Sequence, residues 1–174
     1  MGVANDRSIA WGIAKKLSEH GANLAFTYLG DALKKRVVPL AESLKSSFVL
    51  SCDVEKKEDI IRTFNDIKDK WENLDFVVHA IAFSERSELS GEYLNTSREN
   101  FLKSMLISCF SFTEVAKEAS KIMSKGSSML TLTYESSKVI PNYNVMGVCK
   151  AALESSVKYL ARDLGSKGDR KSVV

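Results

Sequence analysis

A chain of 174 residues with 44% hydrophobic and 27% charged side chains is long enough to bury a substantial core within a single domain, residues 1–174. A net charge of +3, spread over stretches where lysines alternate with acids, argues against a nucleic-acid surface, and no apolar run approaches the ~20 residues of a membrane span. The opening Met1-Gly2-Val3-Ala4-Asn5-Asp6 carries neither a myristoylation pattern nor a secretory signal. Cys52, Cys109 and Cys149, odd in number and widely spaced, read as reduced packing residues buried in a cytoplasmic protein. His20 and His79 are isolated, which gives a metal site almost no support.

Along the chain the pattern alternates. Ser8 to His20 reads as a helix with Ile9, Ile13 and Leu17 on one stripe and Gly21 as its stop. Asn23–Tyr28 reads as a buried strand, and Asp31–Leu44 as a helix that Pro39 should kink or interrupt. Ser47–Val54 is the next strand, Ile60, Phe64, Ile67 and Trp71 mark a helix, and Leu74–Phe83 is a third strand. Thr96-Ser97-Arg98-Glu99 forms a capping box that opens a long helix towards Lys125. Ser127–Tyr134 is a fourth strand, and a last helix runs from Asn142 to about Ser166. Apolar strands separated by helices of this length predict parallel pairing with right-handed crossovers. The fold class is therefore α/β, a Rossmann-type doubly wound sheet that binds ligands beyond the carboxyl ends of its strands.

Several residues at those ends have chemistry to offer. Gly2, Ser8 and Gly12 lie in a loop-to-helix transition, where glycine lets backbone approach a pyrophosphate and a helix start offers N–H groups. The usual G-x-G-x-x-G is absent, and Gly12 serves equally well as a packing glycine between helix and sheet. Asp53 is placed either to accept from an adenine amino group or to cap the helix that begins near Lys56. No acidic residue and no arginine pair marks the end of the second strand, which leaves NADH and NADPH both open. Tyr143 and Lys150 stand seven positions apart. On one helix they share a face, with the lysine about 10 Å further along the axis. A phenol needs a cation to lower its pKa from ~10 before it exchanges protons readily at neutral pH, and Lys150 could supply it. An ordinary amphipathic stripe explains the same spacing. Tyr134 closes the fourth strand at the expected crevice.

The stretches GVANDRSIAWGIA, LAFTY, CDV, VHAIAF, LTLTY and IPNYNVMGVCKAALE, in this order and reaching to about Gly168, resemble the NAD-dependent enoyl-acyl-carrier-protein reductases of bacterial fatty acid synthesis, within the short-chain dehydrogenase/reductase superfamily. The resemblance implies reduction of the trans-2 double bond of an enoyl-acyl-carrier-protein substrate by NADH, in a homotetramer paired through the helices around 101–119 and 145–161. It implies that Tyr143 hydrogen-bonds the thioester oxygen, that Lys150 holds the ribose hydroxyls, and that Tyr134 is the second tyrosine of the active site. Gly2, Ser8 and Ile9 would line the pyrophosphate, Asp53 and Val54 the adenine, Leu29 the adenosine ribose, and Ile81 the cofactor. Ser84 would meet the substrate. Leu29-Gly30 lacks the basic pair of NADPH-using relatives, which favours NADH. A ketoacyl reductase of the superfamily carries its lysine four residues after the tyrosine, where this chain has Gly147.

Relative to that family, the chain is expected to lack the first, central strand and the C-terminal elements of the sheet. The interval from Tyr134 to Tyr143 is also one residue shorter than the family's. Two readings follow: an enoyl reductase, or a non-catalytic remnant that at most binds nucleotide or joins an oligomer.

Overall fold

In the computed structural model, residues 1–165 and 170–171 are described. Their backbone contacts divide the chain into two units, Met1–Glu72 and Asn73–Val174. In the first, helix α1 (Ile9–Glu19) buries Ala10, Trp11 and Ala14. It stops where expected: Gly21 turns left-handed at φ +83°, its N–H donates to Ser18 O, and Ala22 N–H donates to Leu17 O. A Cβ would be strained in that conformation, so the stop depends on glycine. Strand β1 (Phe26–Tyr28) pairs in parallel with β2 (Val49–Ser51), Phe26 opposite Val49 and Tyr28 opposite Ser51. Helix α2 (Gly30–Ser43) crosses between them, and α3 (Lys57–Lys70) follows with Ile60, Thr63, Phe64 and Ile67 buried.

The kink expected at Pro39 does not interrupt α2, which runs through it unbroken. Pro39 and Lys35 are both exposed, so water can hydrate the carbonyl that proline leaves without its helical donor. Gly12 is also not a packing glycine. It is exposed, and a Cβ built there would meet nothing within 4 Å.

In the second unit β3 (Phe76–His79) pairs in parallel with β4 (Ser128–Thr131), His79 opposite Thr131. The long helix between them has three parts: α4 (Arg98–Met105), a π-helical turn over Leu106–Phe110, and α5 (Ser111–Ala119). Helix α6 (Asn144–Gly165) follows β4, and β5 (Arg170–Lys171) then adds to β4 in parallel. Ser166 and Gly168, the expected ends of the last helix and of the resemblance, lie outside the described residues. The four strands expected from apolar runs are all present, each shorter than its run, and β5 is additional. Parallel ladders joined by helices make an α/β fold of the Rossmann type. Among the described residues the ladders form two separate sets, β1–β2 and β3–β4–β5. No helix among those residues is long and apolar enough to cross a membrane.

Two helix starts differ from expectation. The cap of α4 is Ser97, whose hydroxyl accepts from Asn100 N–H at 3.2 Å, while the Thr96 hydroxyl is buried with no partner. Glu88, outside the helix, accepts from Ser97 N–H at 2.9 Å and from its hydroxyl at 2.7 Å. Glu88 thus fills the role that a capping box gives to the third helical residue. Helix α6 begins at Asn144 rather than Asn142, because Asn142 and Asn144 have φ of 59° and 34°. Asparagine tolerates this left-handed backbone better than most residues, and it turns the chain before the helix can start.

Candidate active site

Within the first unit, the candidate residues sit in the opening loop and just past the carboxyl ends of β1 and β2. Gly2 has φ +98°, a backbone that suits glycine. Ser8 precedes α1, but its hydroxyl donates to Asn5 O at 2.8 Å and does not cap the helix. Ile9, the first residue of α1, is exposed. Leu29 is exposed at the start of α2, and Cys52 N–H donates to Tyr28 O at 2.9 Å, which brings the two strand exits side by side. Asp53 and the buried Val54 leave β2 at that edge. Asp53 is not a helix cap: its carboxylate accepts from Glu55 N–H at 3.0 Å and faces Lys56 Nζ at 3.4 Å, and Lys56 itself precedes α3. Asp53 N–H donates to Asp59 at 3.0 Å, and this bond, with Arg62, holds the Asp59 carboxyl below its ordinary pKa.

In the second unit, Ile81 and Ser84 follow β3 while Tyr134 follows the adjacent β4. Tyr143 lies in the turn before α6, not on the helix, so the helical-face geometry expected for Tyr143 and Lys150 does not apply. The chain nonetheless brings the two tyrosines together. Their ring centroids are 5.2 Å apart with planes at 60°, an edge-on contact. Lys150 is 6% exposed, and its ammonium donates to Leu132 O at 2.8 Å. Burial lowers its pKa. Burial raises the Tyr143 pKa, with Cys149 and Tyr134 adding to the effect, so the lowering expected from Lys150 is absent. Gly147 is one helical turn on from Tyr143. A Cβ there would stand 3.8 Å from the Tyr143 ring, an ordinary contact.

A polar network supports the segment that carries Ser84. Asn100, 2% exposed, accepts from Glu85 N–H at 2.9 Å and exchanges contacts with the Ser84 hydroxyl at 3.2 and 3.3 Å. Its amide donates to Glu88 at 3.0 Å. Bonds from Ser97 and Asn100 hold the Glu88 carboxyl below its ordinary pKa. Ser108, in the π-helical turn, accepts from Phe83 N–H at 2.9 Å and donates to Phe83 O at 3.0 Å. The Asn144 amide donates to the carbonyls of Glu88 at 3.1 Å and Gly91 at 3.3 Å, which ties the Tyr143 turn to the same loop. Sequence reasoning missed Asn100, Ser108, Asn144 and Glu154, a carboxylate one helical turn beyond Lys150. The only signal was polar residues at otherwise apolar helical positions.

The profile described as Enoyl-(Acyl carrier protein) reductase matches residues 2–174, past the point where the resemblance was expected to end. Enoyl-acyl-carrier-protein reductase (NADH) 2 of Rhizobium meliloti is 59% identical over 100% of this chain and 65% of its own length. Its counterpart numbered 1 is 57% identical over 100% and 64%. The chain thus spans 64–65% of the length of these curated relatives. The crystal structure of FabI from Candidatus Liberibacter asiaticus superposes with a TM-score of 0.97 at 54% identity, covering 99% of this chain and 67% of that one. The reductase of Anaplasma phagocytophilum, solved in complex with NAD, gives 0.95 at 55% identity, covering 99% and 66%. A match that runs through the glycine loop, both tyrosines and the lysine leaves one assignment: this chain belongs to the enoyl-acyl-carrier-protein reductase family.

Proposed function

We propose that the protein is a cytoplasmic NADH-dependent reductase of the trans-2 double bond of enoyl-acyl-carrier-protein. The observation that carries this reading is the Tyr134–Tyr143 ring contact at 5.2 Å beside the helix that bears Lys150. A half-buried phenol with a raised pKa keeps its proton at neutral pH, which suits a donor to a thioester carbonyl. The residues present fit a dinucleotide. Gly2 adds no side chain to its loop, the Ser8 hydroxyl is engaged away from the first N–H groups of α1, and the Lys150 ammonium has N–H groups beyond the one given to Leu132. In this reading Gly2, Ser8 and Ile9 hold the pyrophosphate, and Asp53, Val54 and Leu29 the adenosine end. Ile81 lies against the cofactor and Lys150 holds its ribose. NADH supplies the hydride when bound.

Tyr143 hydrogen-bonds the thioester oxygen and stabilises the charge that develops there as the β-carbon accepts hydride. Tyr134 packs against that phenol, and Ser84 faces the substrate. Exposed Leu102, Phe110, Val148 and Tyr159 on α4, the π-helical turn and α6 support a homo-oligomer, which light scattering measures directly. The test of function is NADH consumption with a trans-2-enoyl thioester and, separately, a 3-oxoacyl thioester. Turnover of the first alone is expected. Comparable turnover of the second would reject the reading.

A further inference from the structure

The segment between β4 and α6 carries Tyr134 and is exposed from Tyr134 to Val139, with Tyr134 itself 52% exposed. An exposed connection of this kind has no packing to fix its side chains, yet the Tyr134 ring stands edge-on to Tyr143. The anchor comes from α6. Glu154 receives Thr133 Oγ1–H on one carboxylate oxygen at 2.7 Å and Ser136 Oγ–H on the other at 2.5 Å. Four residues earlier on the same helix, Lys150 donates to Leu132 O at 2.8 Å. Residues four apart lie on one face of a helix, so a single face of α6 grips the chain before and after Tyr134. Among the described residues, the other side-chain hydrogen bonds and ion pairs of residues 133–138 stay within that segment: Thr133 to Tyr134 O, and Ser137 and Lys138 to Glu135.

We propose that Glu154 is a positioning residue for Tyr134: by bridging Thr133 and Ser136 it fixes the intervening backbone so that the Tyr134 ring is held against Tyr143. The proposal rests on the enoyl reductase reading only for its catalytic consequence. The geometry stands without it. The bridge needs two polar atoms that meet two hydroxyls, not a charge. Glutamine preserves both contacts, because a hydroxyl accepts as readily as it donates. Alanine removes both.

The test uses the whole protein labelled with 3-fluorotyrosine, with the Tyr134 fluorine signal assigned by its disappearance in Tyr134→Phe. Glu154→Ala should move that signal towards the position of free fluorotyrosine and lower kcat ~10- to 100-fold, with KM for NADH unchanged. Glu154→Gln should restore both. The double variant Thr133→Ala, Ser136→Ala removes the same bridge from the other side and should reproduce the shift, and it decides the matter if Glu154→Ala does not fold. A Tyr134 signal unchanged in the bridge-free variants, or moved equally by Glu154→Gln, overturns the proposal. The fluorine readout needs no turnover. An inactive protein that shows the expected shifts therefore sustains the positioning role while removing the enzymatic reading, and an active one without the shifts does the reverse.

Discussion

Tyr143 and Lys150 are each drawn towards the neutral form by burial, the phenol upward in pKa and the ammonium downward. The roles proposed for them separate in kinetics. Tyr143→Phe should lower kcat ~10²- to 10³-fold and leave NADH affinity intact, since it removes a donor used only as charge develops. Lys150→Ala should weaken NADH binding, and equal losses of affinity in both variants would show the roles misassigned. His79 is a second buried cation-former, fully enclosed, with Nδ1 at 3.2 Å from Thr131 Oγ1 and Nε2 at 2.9 Å from Ser111 Oγ. Burial lowers its pKa from 6.5 to about 3. The folded state therefore keeps it neutral. Its contribution to stability is complete above pH 6.5 and is lost as pH falls towards about 3, by up to ~1.4 kcal/mol per pH unit. The His79 ring signals should not titrate down to about pH 4. A midpoint near the ordinary value would contradict the enclosure.

At the scale of elements, the start of α4 and the middle of α2 offer clean tests. Ser97→Ala should cost ~1 kcal/mol in denaturant unfolding, because it removes the cap and one donor to Glu88. Thr96→Ala should cost little, since the Thr96 hydroxyl is buried without a partner and its desolvation is uncompensated. The reverse order would restore Thr96 as the cap. Pro39→Ala should raise stability by ~2 kcal/mol, as the helical hydrogen bond gained outweighs the freedom returned to the unfolded chain. These positions also show what the sequence can express. The period through Ile60, Phe64 and Ile67 located α3 because all three are buried on one face. The capping box at Thr96 fell one residue early because the reciprocal acceptor is Glu88, nine residues before Ser97, and spacing rules see only near neighbours. Tyr143 was assigned to a helix because nothing in the run PNYN reveals two asparagines with positive φ.

Across the molecule, strands made of apolar runs are legible in the sequence, and a strand of charged residues is silent. Met129 and Val77 are buried in their ladder, and both lie in apolar runs that read as strands. Arg170–Lys171 has no apolar residue and gave no signal of β5. The same contrast predicts uneven protection. In the β1–β2 ladder Val49 and Leu50 are half-buried and Ser51 is exposed, whereas β3 and β4 alternate with fully buried residues. Local opening costs less where fewer apolar contacts are lost, so amides of β3 and β4 should exchange at least about tenfold more slowly than those of Val49–Ser51. Hydrogen-exchange mass spectrometry resolves the two ladders, and equal rates would refute the ordering. The sequence singles out Tyr143, Lys150 and Gly2 as candidates because a spacing and a loop-to-helix transition mark them. The polar contacts around those candidates carry no such mark, because Asn100, Ser108 and Glu154 act through partners 12 to 25 residues away.

The π-helical turn at Leu106–Phe110 sets an angular phase. A π turn is one residue longer than the α-helical turn it replaces, and each α-helical residue advances the chain by ~100°. Asn100 before the turn and Ser108 within it address the same loop, at Ser84 and Phe83, while Ser104 donates to Asn100. Shortening the turn by one residue would rotate one set about 100° away from the other while leaving the helix itself regular. The irregular turn is therefore the register mark that lets one helix hold the loop at two successive points.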